Sequence, residues 1–490
     1  NGLYGLNSVN GGTIVANTTT VSGSADSGIA IQNHPATKPV TFGVTTVTQN
    51  SAGGAVILIG SGFNQAAAIT FSSLDVTNNA GDAFRIINQI GTVTVTNATG
   101  SNITSVGGIA LFVQNPLGGT TPLALNLTNI NASTGTSGVI ISNASGAVSA
   151  TGGALLGSGN TIDIQNATVD FSYGGTVSHA NNTFYALYVD NLTTPGGNIN
   201  LSGTLTSTLG SRGISIINSE GDVTLTTVNL GTSVARLTST PITLTNNTGT
   251  VNLGTVNAFT NGVTAMTATD NNGTINSTSG EMNATNGRAI NIDGPVGLTT
   301  LGMTLTRVSS SNSTTNGILI QDTDGSFTVT GDGNSATHTN GAGGTISNTT
   351  AEAFFLSHVT NITLNDMIIN NTGSHGFNGT NVNGLVLDNV DMTDIGNADN
   401  EYGLNFTTGA GANLVGTVIL DNVTMTRVAE HMVYIENFSG ALTLTVTSST
   451  FEDNITPLVC GGDNCNGAGL LLRADGTSSM DVVIQNNQFN

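Results

Sequence analysis

The chain has 490 residues, of which 37% are hydrophobic, 65 are glycine and only 8% are charged, and it contains no tryptophan. Eight basic residues stand against 29 acidic ones, a formal net charge of −21, so neither a phosphate-tracking groove for nucleic acid nor a patch for anionic lipid has material to be built from. No apolar run approaches the ~18 residues of a membrane-spanning helix, and the recurrence of Val, Ile and Leu in short alternating runs excludes general disorder despite the Gly, Ser and Asn bias.

Along the chain one phrase recurs: a short apolar strand, an Asn, one or two small residues, a Gly, and a second alternating strand. It is legible in "TVTVTN" (92–97), "GISIINSEGDVTLTTVNL" (213–230), "PITLTNNTGTVNLGTV" (241–256), "GILIQDTDGSFTVTGD" (317–332) and "LTLTVT" (442–447). Aligned on the residue that ends each apolar strand, the anchors include Asn88, Asn115, Asn143, Asn166, Asn191, Asn218, Asn246 and Asn271, at steps of 23 to 28 residues. The series continues through Asp322, His358 and Asn381. "AEAFFLSH" (351–358) and "RVAEHMVYI" (427–435) look helical in isolation, but each falls on an anchor and reads as strand.

A period of about 27 residues is too short for a sandwich domain, and no 3.6-residue periodicity accompanies it. It suits one coil of a solenoid, two or three strands joined by Gly and Asn turns where positive φ is tolerated. The expected fold is therefore all-β: a single parallel β-helix of about 18 coils running through residues 1–490, with loop insertions near 330–350 and 455–470. At about 4.8 Å per coil it makes a rod roughly 85 Å long. Val, Ile, Leu and Ala rows stack inward, and the anchor Asn side chains are expected to form a hydrogen-bonded ladder from coil to coil.

Cys460 and Cys465 in "CGGDNCNG" are expected to close a small disulfide loop, two thiols being too few for a zinc or iron–sulfur site. That pairing and the single lysine, Lys38, point outside the cytoplasm, to an extracellular or cell-surface location. The start at Asn1 and the repeat-like text at the other end, "DVVIQNNQFN", read as part of a longer or processed protein.

Through its "GISIINSEGDVTLT"-type coils and Asn anchors, nearly the whole chain resembles the right-handed parallel β-helices of the pectate-lyase-like superfamily, in the form met in bacterial autotransporter passengers and giant surface adhesins. "GGAV" (53–56), "GGAL" (152–155) and "FEDN" (451–454) resemble the motifs of polymorphic outer-membrane passengers, but occur too rarely to assign that family. The superfamily includes polysaccharide lyases and hydrolases, so catalysis is a live expectation to weigh. A lyase needs an Arg or Lys base beside calcium-binding carboxylates. Arg85, Arg212, Arg236, Arg288, Arg307 and Arg473 are scattered singly, and only Arg427 has Glu430 and His431 nearby. "QDTDG" (321–325) and "SHGF" (374–377) resemble the NTDG and GHG of polygalacturonases, which singles out Asp322, Asp324 and His375. The paired Asp of the family's GxDD and its RxK are missing, so these three are read as turn residues and no enzyme is expected. His34, His179, His338 and His358 show no ligand spacing.

No cofactor is expected beyond calcium, for which "DIGNADNE" offers Asp394, Asp399 and Glu401 as hard oxygen ligands in a Gly/Asn-rich turn. The expected function is structural or adhesive: a surface stalk, a sheath or filament subunit, or an adhesin passenger. Its expected partners are copies of itself, end to end or side by side, further repeats of a longer chain, and glycans. A carbohydrate-binding or polysaccharide-degrading β-helix is the alternative.

Overall fold

The structure, a computed structural model, describes residues 4–181, 183–194, 196–208, 210–295, 299–333, 340–452 and 467–490. Cys460, Cys465 and His338, and with them the expected disulfide, lie outside these residues. Among the described residues the regular structure is strand throughout, with no helix. The chain is a parallel β-solenoid of about 17 turns with a repeat of about 26 residues, close to the expected coil count. Its contacts divide it into two compact units, Asn1–Leu230 with Asn246–Asn252, and Gly231–Thr245 with Leu253–Asn490.

Two successive coils of the second unit show how the sequence makes the fold. Strand Phe354–Asn365 pairs in parallel with Phe377–Asp388, placing Phe354 beside Phe377, Val359 beside Val382 and Leu364 beside Leu387. Strand Met367–Thr372 pairs with Asp391–Ile395, placing Ile369 beside Met392. Each coil thus has three legs, because the long strand is bent. The bends fall at residues in the left-handed region: His358 with Asn361, then Asp366 and Asn371 in one coil (φ 53°, 50°, 55° and 51°), and Asn381 with Gly384, then Asn389 and Asp394 in the next (φ 53°, 89°, 60° and 57°). Asn and Asp occupy such corners because their short polar side chains make local hydrogen bonds that offset the strain.

Between corners, period-2 alternation sends every second residue inward. Strand Ile318–Val329 buries Ile318, Ile320, Phe327 and Val329 completely. Parallel register then stacks like on like. Phe354 and Phe377 lie with ring centroids 4.5 Å apart and planes 6° from parallel, and in the first unit Phe42 and Phe71 stack at 5.0 Å and 7°. Each such fully buried side chain contributes about 1.5–3 kcal/mol.

In the first unit, the opening "GISIINSEG" forms strand Arg212–Ile217 and a corner at Asn218 (φ 51°). Gly221 follows because nothing else fits: a Cβ there would sit 1.6 Å from the carbonyl oxygen of Gly197 in the neighbouring coil, and one on Gly249 would sit 2.3 Å from that of Gly221. Val223 and Leu225 then face the core.

Candidate functional site: corner ladders and an outward pocket

The eight anchor asparagines divide by conformation. Asn88, Asn143, Asn166, Asn191, Asn218 and Asn246 have positive φ, whereas at the last anchor it is Asp270, not Asn271, that takes the left-handed position. Two amide-to-amide rungs form: Asn191 Nδ2 donates to Asn166 Oδ1 at 2.8 Å, and Asn246 Nδ2 to Asn218 Oδ1 at 2.8 Å. Asn218 itself donates to Asp190 Oδ1 at 3.2 Å. The other four donate to backbone carbonyls: Asn88 to Gly60, Asn115 to Gln89, Asn143 to Asn115, and Asn271 to Leu244 and Thr269. Asn88, Asn115 and Asn271 are buried rather than displayed.

Among the described residues the longest ladder lies at another corner, which the sequence reading did not single out. In the second unit Asn286 donates to Asn261 (2.8 Å), Asn312 to Asn286 (3.3 Å), Asn348 to Asn312 (3.0 Å) and Asn371 to Asn348 (2.6 Å), always Nδ2 to Oδ1 on the exposed surface. The signal that finds it is a second Asn register, at steps of 25, 26, 36 and 23 residues. A third corner joins Asn389 to Asp366 at 2.7 Å and Asn422 to Asn389, largely buried.

The expected calcium ligands stand in this same setting. Asp394 has φ 57°, like the ladder asparagines, and both its oxygens are taken by Arg427, through Nε and Nη2 at 2.6 Å each. That guanidinium holds the Asp394 carboxyl below the usual carboxylate range. Glu401 Oε2 accepts the backbone N–H groups of Asn397 and Ala398, and Asp399 is exposed. Among the described residues no three His, Cys, Asp or Glu side chains converge as a metal site.

The polygalacturonase-like candidates do not meet. Asp322 is a corner residue (φ 54°) whose carboxylate lies 3.3 Å from His358 Nδ1, and Asn381 donates to His358 Nε2 at 2.9 Å, so the three line one corner over three coils. Asp324 is exposed two residues on. His375 precedes Asn381 by six residues, which in extended chain is about 20 Å. Arg427 likewise serves Asp394, while Glu430 approaches His431 at 3.4 Å.

His375 instead begins a buried polar network. Its Nδ1 accepts the backbone N–H of Tyr402 at 2.9 Å and its Nε2 lies 3.1 Å from the Asn405 amide. Asn405 donates to Asn378 at 3.2 Å, and Asn378 to Glu352 at 2.9 Å. Tyr402 stacks between two imidazoles, with His375 at 5.4 Å and His431 at 5.3 Å. Burial pushes both imidazoles below their ordinary range and pushes the Tyr402 phenol up to about 12.

Glu352 also borders an open pocket of about 470 Å³ on the outer face of the second unit, with Arg288, Leu319 and Phe355. No known protein family, curated protein or solved structure matches the chain.

Proposed function

We propose that the chain is an extracellular structural and adhesive β-solenoid, a stiff scaffold at the cell surface of the right-handed, pectate-lyase-like form its sequence resembles. The observation that carries this reading is the run of four amide-to-amide hydrogen bonds from Asn261 to Asn371. A solenoid coil contacts only its neighbours, so its resistance to opening is set coil by coil. A side-chain bond across every step, on the exposed corner where proteases and solvent have access, suits a scaffold that must not fray. The single lysine supports the extracellular part, and copies of the chain are proposed to associate.

Limited proteolysis of the purified chain, beside a variant carrying Asn312→Ala and Asn348→Ala, tests the scaffold. The expected outcome is a wild type that survives hours of subtilisin and a variant first cut near those corners. A wild type digested as fast as urea-unfolded chain sinks the reading. Sedimentation velocity over a range of concentrations, from pH 7.5 down to pH 4 as the like charge that opposes contact is removed, reads the association.

A further inference from the structure

The pocket beside Glu352 is built from outward residues of three coils. Leu319 and Phe355 pair in register on adjacent coils, half-buried, and make an apolar floor. Arg288 is fixed at the wall: Nη1 donates to Asn291 Oδ1, and Nη2 to Thr315 Oγ1 at 3.2 Å and to Asn316 Oδ1. Three of its five donors are used in this way, and its Nε–H is buried without an acceptor. Glu352 is held by the Asn378 amide through Oε1. Arg288 and Glu352 are thus each oriented by uncharged groups and both line the same space.

That pairing decides the ligand chemistry. A free anion entering the pocket meets Glu352 and, beyond it, a chain of net charge −21; a cation meets the Arg288 guanidinium. A neutral polyhydroxyl compound is opposed by neither. Adjacent hydroxyls donate to the carboxylate and accept from the guanidinium, as charge-assisted hydrogen bonds, while a sugar ring's C–H face covers the Phe355 ring. The volume, about 470 Å³, falls in the range of small-ligand sites. Asn378, half-buried, continues the Phe355 row on the next coil, giving an amide partner to a sugar unit beyond the first. We propose that this pocket binds a neutral oligosaccharide, with Phe355 as the stacking platform and Arg288 and Glu352 as the hydroxyl-reading pair.

The proposal rests on the adhesive part of the reading above and names its ligand class. A printed array of neutral and uronate oligosaccharides, followed by calorimetry on the full chain at pH 7.5, tests it. At least one neutral oligosaccharide is expected to bind. Phe355→Ala should weaken that binding at least about tenfold, and Glu352→Gln, by removing the repelling charge, should let uronate oligosaccharides bind that the wild type rejects. If Phe355→Ala lowers the unfolding temperature, Phe355→Leu, which keeps an apolar floor without a ring, replaces it and should show the same loss. No neutral ligand on the array, undiminished binding by both Phe355 variants, or a wild type that prefers uronates overturns the proposal. A chain that resists proteolysis and yet binds no neutral glycan loses the pocket and keeps the scaffold.

Discussion

His375 and His431 flank Tyr402, and geometry as well as burial disfavours protonation of each. Nδ1 of His375 accepts the N–H of Tyr402, and Nδ1 of His431 accepts that of Ala468, both at 2.9 Å. A proton added to either ring sits on that nitrogen and faces another N–H, losing the bond. Desolvation lowers both imidazoles, opposed by the nearby Glu352 for His375 and Glu430 for His431. In the unfolded chain each titrates near 6.5, so as pH falls the unfolded state binds protons first. Stability is unaffected by the pair above about pH 6.5 and drops below it, until the folded-state rings themselves protonate. Urea midpoints measured between pH 7.5 and 5 should fall accordingly. His375→Asn, whose oxygen can still accept the Tyr402 N–H, should reduce that slope by one histidine's share, leaving that of His431 and of the buried His34 and His179; an unchanged slope removes His375 as a source.

One coil is a row of inward side chains closed by three corners, and its energetics follow from that division. Phe377 is completely buried and stacked on Phe354, so Phe377→Ala should cost about 3–5 kcal/mol. Val234, at 94% exposure, should tolerate Ala to within about 0.5 kcal/mol. Chemical denaturation of the two variants checks the contrast, and equal losses would deny that the rows hold the coil. These rows were legible in the sequence because period-2 alternation inside a repeat of constant length leaves few alternatives. The first-corner rungs at Asn166–Asn191 and Asn218–Asn246 were legible in part, since Asn recurs there at the end of each strand. The ladder from Asn261 to Asn371 was missed because one anchor per coil fixes one corner only, and its 36-residue step from Asn312 to Asn348 spans an insertion. The Arg427–Asp394 pair and the His375 network lay beyond sequence reasoning for a different reason. Both join residues on adjacent coils, 33, 27 and 30 positions apart, and only the register of the legs says which positions meet.

At the scale of the whole molecule, charge governs how copies meet. The formal net charge is −21 and the isoelectric point about 4.1, with 29 acidic residues in a chain otherwise rich in Asn, Thr and Ser. At neutral pH the like charge opposes contact between copies, and about 0.1 M salt screens it beyond ~10 Å. Acidification removes the repulsion itself. Asp388, raised by burial and by the negative Asp421 and Asp366 beside it, takes up its proton early in that descent, whereas Asp394, held down by Arg427, keeps its charge to lower pH. As pH approaches the isoelectric point the net charge vanishes, and the outward amide and hydroxyl rows are free to pair between copies. Static light scattering should therefore show a second virial coefficient that is positive at pH 7.5, smaller in added salt, and negative near pH 4, with association reversed on return to neutrality. Far-UV circular dichroism taken in parallel separates this from unfolding, because association of intact solenoids leaves the strand signal unchanged. A coefficient that stays positive through pH 4 while the strand signal persists would mean that charge is not what keeps the copies apart.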